Sequence, residues 1–298
     1  MRALVTGGLG FIGSHLVDRL LADGHDVIVI DKSETLPDRW DGAVDVRRMD
    51  LREAAEPEAD IVYHLAGLVG PALLKDGGYG IEYAQFAEWL RPYVEDGVTV
   101  IHISTSEVYG RQPNPLNETM DCILPGHGYG RAEYPASKLL AEYMLLDMGG
   151  DVRIARPFNV AGPRQRSDGG FVVPRFFDSI RAGEPLTVYE PGTQRRAFCH
   201  VLDFVEGFMA IAERGYAGGI WNIGNPDNER TITELAEMVL DVCGADVGIR
   251  IVDPRTVYGR TFSDAPDKIP DISKAQSQLG WRPTRTLRQA VEDAWVGS

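Results

Sequence analysis

The sequence predicts an α/β protein, with a doubly wound parallel sheet followed by a smaller C-terminal α/β lobe. Three observations carry this. Short, near-continuous apolar runs alternate with helix-length segments through the first half, as expected for parallel strands covered on both faces. A glycine-rich turn, Gly7-Gly8-Leu9-Gly10-Phe11-Ile12-Gly13, joins the first run to the first helical pattern. After Pro157 the alternation weakens, and Gly and Pro become frequent at Gly162-Pro163, Gly169-Gly170, Pro191-Gly192 and Gly224-Asn225-Pro226.

The strands are expected at residues 3–6, 27–30, 44–49, 61–65, 98–103 and 152–155. The first helix, 12–23, places Leu16, Leu20 and Leu21 on one face and stops at Gly24. A second, 134–148, carries an apolar stripe of Leu139, Leu140, Tyr143, Met144, Leu145 and Leu146. That stripe is wider than one core face needs, so part of it is expected to meet a second copy in a homodimer. Further helical patterns run over 174–181, 203–214, 231–243 and 287–295. The division expected is a dinucleotide-binding domain over 1–157, rejoined by about 197–215, and a mainly substrate-binding lobe over 158–298.

The chain has 298 residues, 44% of them apolar, and a net charge of −14. Such acidity argues against general binding to nucleic acid or to an anionic membrane surface, and no apolar run is long enough to span a bilayer. Residues 2–6 already read as a strand, so no leader peptide is expected. Cys122, Cys199 and Cys243 are odd in number and without metal-like spacing, which suits reduced thiols in a cytoplasmic protein. The six scattered histidines suggest no metal site.

Gly7, Gly10 and Gly13 lie where a strand turns into a helix. Glycine permits the tight turn and lets the backbone approach a pyrophosphate. The helix N-terminus, at Phe11, Ile12 and Gly13, offers N–H groups and a positive dipole end. Asp31 ends the second strand 18 residues past Gly13. A carboxylate there accepts from both ribose hydroxyls and repels a 2′-phosphate, so NAD is expected as cofactor, with Lys32 adjoining. Asp50 and Leu51, after the third strand, suit the adenine edge.

Tyr134 and Lys138, in Tyr134-Pro135-Ala136-Ser137-Lys138, are one helical turn apart and point the same way. Tyrosine is a poor base at its usual pKa near ~10. A nearby ammonium and a positive nicotinamide favour the phenolate. Thr105, in Ser104-Thr105-Ser106-Glu107-Val108-Tyr109-Gly110, follows a strand at the carboxyl edge of the sheet, where it can share a substrate hydroxyl with Tyr134.

These segments make the chain resemble the extended short-chain dehydrogenases/reductases, with their Rossmann-type sheet and their NAD-dependent nucleotide-sugar epimerases, dehydratases and decarboxylases. The similarity continues through His64-Leu65-Ala66, Arg156-Pro157-Phe158-Asn159, Gly162-Pro163-Arg164-Gln165, Leu186-Thr187-Val188-Tyr189 and Arg196-Ala197-Phe198. It runs on to Val201-Leu202-Asp203, Asn222-Ile223-Gly224-Asn225-Pro226 and Leu279-Gly280-Trp281-Arg282-Pro283. The resemblance implies that Tyr134 is the base, that Lys138 holds the nicotinamide ribose and tunes Tyr134, and that Thr105 binds the reacting 4-hydroxyl. It implies Leu65, Ala66 and Gly67 alongside the cofactor, and Asn159 and Arg196 at a substrate diphosphate. The backbone and ring around Leu186–Tyr189 would hold the nucleotide base, most often uracil, with Val173 also on the substrate side.

All such enzymes first oxidise the sugar 4-hydroxyl to a ketone and then diverge. Glu107 separates them locally: simple 4-epimerases usually lack a carboxylate there, whereas dehydratases and UDP-glucuronate decarboxylases have one. The segments Gly224-Asn225-Pro226-Asp227-Asn228-Glu229 and Lys268-Ile269-Pro270-Asp271-Ile272 resemble the decarboxylases. The expectation is therefore a UDP-glucuronate decarboxylase-like enzyme. The alternatives are a nucleotide-sugar 4-epimerase, a 4,6-dehydratase or, more remotely, a non-catalytic NAD-binding regulator.

Two departures from the pattern stand out. Such decarboxylases carry an arginine, thought to meet the sugar carboxylate, where this chain has Lys268. Lysine keeps the charge and loses the bidentate fork. The stretch 67–98 is short and has Gly77-Gly78-Tyr79-Gly80 in place of the usual Asn-x-x-Gly-Thr helix.

Overall fold

The computed structural model describes all residues except 34–36, 71, 73–79, 125–131, 260–266 and 298. Six strands of the main sheet come from the first 157 residues: β1 (Arg2–Thr6), β2 (Asp26–Asp31), β3 (Asp45–Arg48), β4 (Ile61–His64), β5 (Thr99–Ile103) and β6 (Val152–Pro157). The helices between them are α1 (Phe11–Ala22), α2 (Gly80–Trp89), α3 (Arg91–Glu95) and α4 (Glu133–Asp147).

Beyond these come β7 (Val160–Ala161), α5 (Val172–Ala182), β8 (Leu186–Tyr189), β9 (Arg195–Ala197), β10 (Cys199–His200) and α6 (Val201–Arg214). The chain continues with β11 (Ile220–Ile223), β12 (Glu229–Thr231), α7 (Ile232–Cys243), β13 (Ile249–Val252), α8 (Arg255–Tyr258), α9 (Ser273–Leu279) and α10 (Leu287–Val296).

The main sheet is parallel throughout, in the order β11-β6-β5-β4-β1-β2-β3. Strand order reverses between β1 and β4, which opens a crevice at their carboxyl ends. Side chains alternate between two cores. Ala3 and Val5 pack under α1 and α6 with Leu16, Val17 and Phe208, while Leu4 faces the other way onto Phe86, Tyr93 and Leu145. Full burial of each large apolar side chain is worth roughly 1.5–3 kcal/mol, so both faces hold the sheet.

Among the elements outside those expected, two complete and cover the main sheet. The seventh strand, β11, pairs with β6 far along the chain. Its Ile-Trp-Asn-Ile run is short, and a buried polar residue interrupts it. Asn222 is held by the carbonyls of Leu116 (2.9 Å) and Asp271 (3.2 Å) and by Tyr109 Oη at 2.7 Å, contacts distant in sequence. In the stretch 67–98, α2 packs against α4 through Tyr83 and its neighbours, so a helix covers this face without the Asn-x-x-Gly-Thr motif. Gly77, Gly78 and Tyr79 lie outside the described residues.

The C-terminal lobe has its own core of Phe176, Phe177, Leu186, Val188, Leu235, Val239 and Val291. It is built on the pairs β8–β13 and β9–β12 and on α5, α7 and α10. Asp203, buried at the start of α6, ties the chain end to the sheet by accepting from the N–H groups of Thr284 (3.0 Å) and Arg285 (2.8 Å).

Candidate active site

The glycine turn is a contact between three pieces of backbone. Gly7 has φ +73°, and a Cβ there would lie 2.8 Å from the N of Ala66. A Cβ on Gly13 would lie 2.2 Å from the Gly7 carbonyl oxygen. Gly10 caps α1 with no side-chain acceptor, so the first-turn N–H groups face the crevice as an anion site.

Asp31 first shapes this loop. Its Oδ2 accepts from Leu9 N and its Oδ1 from Ser33 N, both at 2.9 Å. Each carboxylate oxygen keeps capacity for a further donor. Lys32 is exposed and lies 3.8 Å from Glu82. Asp50 caps the short turn Leu51–Glu53 and is chelated by Arg52, at 2.8 and 2.6 Å, which holds its carboxyl at about 2. No Cβ could replace Gly7 or Gly13, and the carboxylate stands at the end of β2; these features fit a dinucleotide.

A single cleft of about 740 Å³ runs from this cradle across the sheet edge to the C-terminal lobe. Thr105, Glu107, Tyr134 and Lys138 line it. So do Gly7, Gly10, Phe11, Ile12, Gly13, Asp31, Lys32, Asp50, Leu51, Leu65, Ala66 and Gly67, and at the far end Asn159, Val173, Tyr189 and Arg196. The structure thus brings most of the expected residues to one cavity.

Leu186 and Lys268 are not among its lining residues. Leu186 is fully buried in the lobe core. Along β8 the side chains alternate, so Thr187 and Tyr189 face the cleft while Leu186 and Val188 face inward. Lys268 is also buried, and its Nζ donates to two backbone carbonyls behind the turn that bears Glu107.

The chemical set rests on α4. Tyr134, Lys138 and Glu142 follow one another at four-residue spacing and are all buried. Lys138 Nζ donates to the Ile103 carbonyl at 2.9 Å and lies 4.5 Å from the centre of the Tyr83 ring. Burial pulls its ammonium down to about 7, with the Glu142 carboxylate pushing it back up.

Glu142 accepts from Ser104 Oγ and takes both arms of Arg156, at 3.0 and 2.6 Å, in a buried pair. Thr105 caps the turn Ser106–Tyr109, its Oγ1 accepting from Glu107 N at 3.2 Å. That hydroxyl proton remains available to a ligand. Beneath Lys138, His64 and His102 stack at 5.2 Å, and burial holds both well below the usual histidine range, so they stay neutral.

Sequence reasoning missed Tyr83. Its hydroxyl donates to the Leu68 carbonyl at 2.6 Å, and its ring meets Tyr134 edge to face at 6.3 Å, so it fixes both Tyr134 and Lys138. No local motif marks it. Thr187 and Arg175 also line the cleft: Thr187 follows from the alternation of β8, whereas Arg175, on α5, reaches it by donating to the Thr187 carbonyl at 2.9 Å. Asn159 has φ +28°, a strained backbone at a cleft residue.

The cradle, the tyrosine–lysine helix and the threonine turn share one cavity at the switch point of the sheet. A model of the NAD dependent epimerase/dehydratase family matches residues 3–224. The chain belongs to this family.

Among its relatives, UDP-glucuronic acid decarboxylase 6 of Arabidopsis thaliana is 39% identical over 306 residues, covering 98% of this chain and 87% of that protein. Among solved structures, dTDP-glucose 4,6-dehydratase from Streptomyces venezuelae, with NAD bound, is 29% identical with TM-score 0.85 over 100% and 96% of the two chains. UDP-glucuronic acid 4-epimerase from Bacillus cereus, in complex with UDP-glucuronic acid and NAD, is 26% identical with TM-score 0.83 over 100% and 98%. This family member is therefore an NAD-dependent enzyme with a Rossmann-type sheet. Among the described residues no helix is long and apolar enough to cross a membrane.

Proposed function

We propose that the protein is a UDP-glucuronate decarboxylase. The observation that carries this reading is Glu107 on the cleft wall beside Thr105, in a chain 39% identical to a UDP-glucuronic acid decarboxylase over nearly its whole length. Gly7, Gly10, Gly13 and Asp31 would hold NAD, which when bound supplies a reversible hydride acceptor at the sugar C4. Asn159 and Arg196 would hold the diphosphate, with Val173 and Tyr189 toward the base.

Tyr134, assisted by the Lys138 ammonium, takes the proton from the 4-hydroxyl as the C4–H bond breaks and its electron pair leaves as hydride, and Thr105 orients that hydroxyl. In the 4-ketone so formed, the C5–C6 bond breaks and CO2 departs. The electron pair is left as an enolate on the ketone oxygen, where Thr105 and Tyr134 donate. Glu107, in its acid form, would give C5 the proton it takes up and would regain one from solvent. Return of hydride to C4, and of the Tyr134 proton to its oxygen, gives a UDP-pentose.

The second reading is a uronate 4-epimerase or a dehydratase, favoured by the absence of Lys268 from the cleft lining. Incubation with UDP-glucuronate, followed by NMR and mass analysis, separates the three. Loss of carbon 6 as CO2 is expected. Inversion at C4 with carbon 6 retained overturns the proposal.

We further read the enzyme as a cytoplasmic homodimer. Leu140 and Tyr143, one turn apart on α4, are 48% and 57% exposed, apolar side chains suited to a second copy. The three cysteines are free thiols, as a reducing compartment requires. Residues 158–298, apart from β10, α6, β11 and α9, which pack with the main sheet, would form the nucleotide-sugar lobe.

A further inference from the structure

We propose that Lys268 is a positioning residue for Glu107, acting through a brace, residues 267–271, that joins the Glu107 turn to the strand bearing Arg196. The inference rests on the decarboxylase reading above. Lys268 is 1% exposed, and its Nζ donates to the carbonyls of Gly110 at 2.9 Å and Ser106 at 3.3 Å. Those carbonyls bracket the turn Ser106–Tyr109, whose Ser106 and Glu107 line the cleft while Lys268 does not. A compact ammonium with three donors suits converging carbonyls, whereas the planar fork of arginine suits a carboxylate.

The backbone of the same residue is paired on its other side. Lys268 N donates to the Arg195 carbonyl at 3.1 Å and its own carbonyl accepts from Ala197 N at 3.2 Å, which sets it beside Arg196. Neighbouring residues repeat the pattern. Asp267 Oδ1 accepts from Arg195 N at 2.7 Å, Ile269 N donates to Asn114 Oδ1 at 2.7 Å, and Leu116 N donates to the Ile269 carbonyl at 2.8 Å. One short segment is thus stitched to β9, to the loop at 114–116 and to the Glu107 turn. It holds the separation between the Arg196 end and the reacting end of the cleft before any ligand arrives, which is preorganisation of the kind catalysis exploits.

The test uses the NAD-loaded enzyme with UDP-glucuronate. Lys268→Met keeps the stem and removes the ammonium. Expected are a KM within about threefold of the parent and a kcat lower by about tenfold or more, with reduced cofactor and the 4-keto sugar accumulating because the second half-reaction stalls. Adding Glu107→Gln to Lys268→Met should lower kcat far less than Glu107→Gln does alone, as coupled residues are non-additive.

A KM raised more than about tenfold at unchanged kcat would mean that Lys268 binds substrate directly and would overturn the proposal, as would parental values of both. If Lys268→Met does not fold, Asn114→Ala loosens the brace from the exposed side, and a smaller fall in kcat at constant KM is expected; unchanged kcat counts against the brace. Should the parent enzyme release no CO2, the decarboxylase reading fails. The same split of kcat from KM, measured with whichever UDP-sugar it turns over, then still decides the role of Lys268.

Discussion

Lys138 and Lys268 are both 1% exposed, and each donates from Nζ to a backbone carbonyl at 2.9 Å. Lys138 lines the cleft one helical turn after Tyr134, with Glu142 a turn further on. Lys268 lies in an extended segment behind the cleft wall, beside Arg196 on the neighbouring strand. Burial and charge alone therefore do not single out a catalytic group. What separates the two is which surface each ammonium faces and what its carbonyl partners carry. Ile103 ends the strand before the threonine turn, while Ser106 and Gly110 flank Glu107, the residue on which the decarboxylase proposal rests.

The sharpest way to break this contrast is to remove the group that Lys138 serves. Tyr134→Phe should cut turnover by roughly 10²–10⁴-fold while leaving NAD content unchanged, measured as steady-state rate and cofactor per protomer. A loss below about tenfold would show that another base carries the reaction, and Lys138 would then be as remote from the chemistry as Lys268.

Lys138→Met should lower turnover by about 100-fold. It should also change the pH profile, because burial brings the Lys138 ammonium to about 7. Its charge is present below that pH and is lost as pH rises through about 7. The kcat/KM profile of the parent enzyme should lose rate across that range, and the variant should lack that limb. Lys268→Met should leave the limb in place. If both variants, or neither, abolish it, the two lysines have not been told apart.

A smaller effect is expected at the cofactor end. Gly13→Ala places a methyl group 2.2 Å from the Gly7 carbonyl oxygen, so NAD affinity measured by calorimetry should fall by about tenfold or more. Affinity within twofold of the parent would mean that the turn can relax. The smallest change is expected from Leu140→Glu with Tyr143→Glu. Light scattering should report a monomer, with turnover of the isolated protomer within about twofold, because neither residue lines the cleft. A dimer that persists would send the search for the interface to another face.

Much of the site was legible in the sequence because it is local. Gly7 through Gly13 turn one strand into one helix, and the spacing of Tyr134 and Lys138 fixes their common face. Asp31 ends a strand whose apolar run is plain, and each of the six expected strands and six expected helices corresponds to an element within a few residues. Tyr83 was not legible, because its value lies in touching Leu68, Tyr134 and Lys138 across three segments. The alternation within Leu186–Tyr189 was not legible, because the motif was read as a block, whereas a strand shows alternate side chains to opposite sides, and only Thr187 and Tyr189 line the cleft.

The sequence by itself determined the cofactor cradle, the tyrosine–lysine helix and the acidic residue beside the threonine, since each depends on neighbours within a turn or a strand end. Tertiary structure alone decided that β11 completes the sheet, that Tyr83 packs on Tyr134 and Lys138, and that Lys268 donates to carbonyls and does not line the cleft. These outcomes depend on partners dozens to well over a hundred positions away, and a buried polar group takes whichever of them packing brings within hydrogen-bond reach.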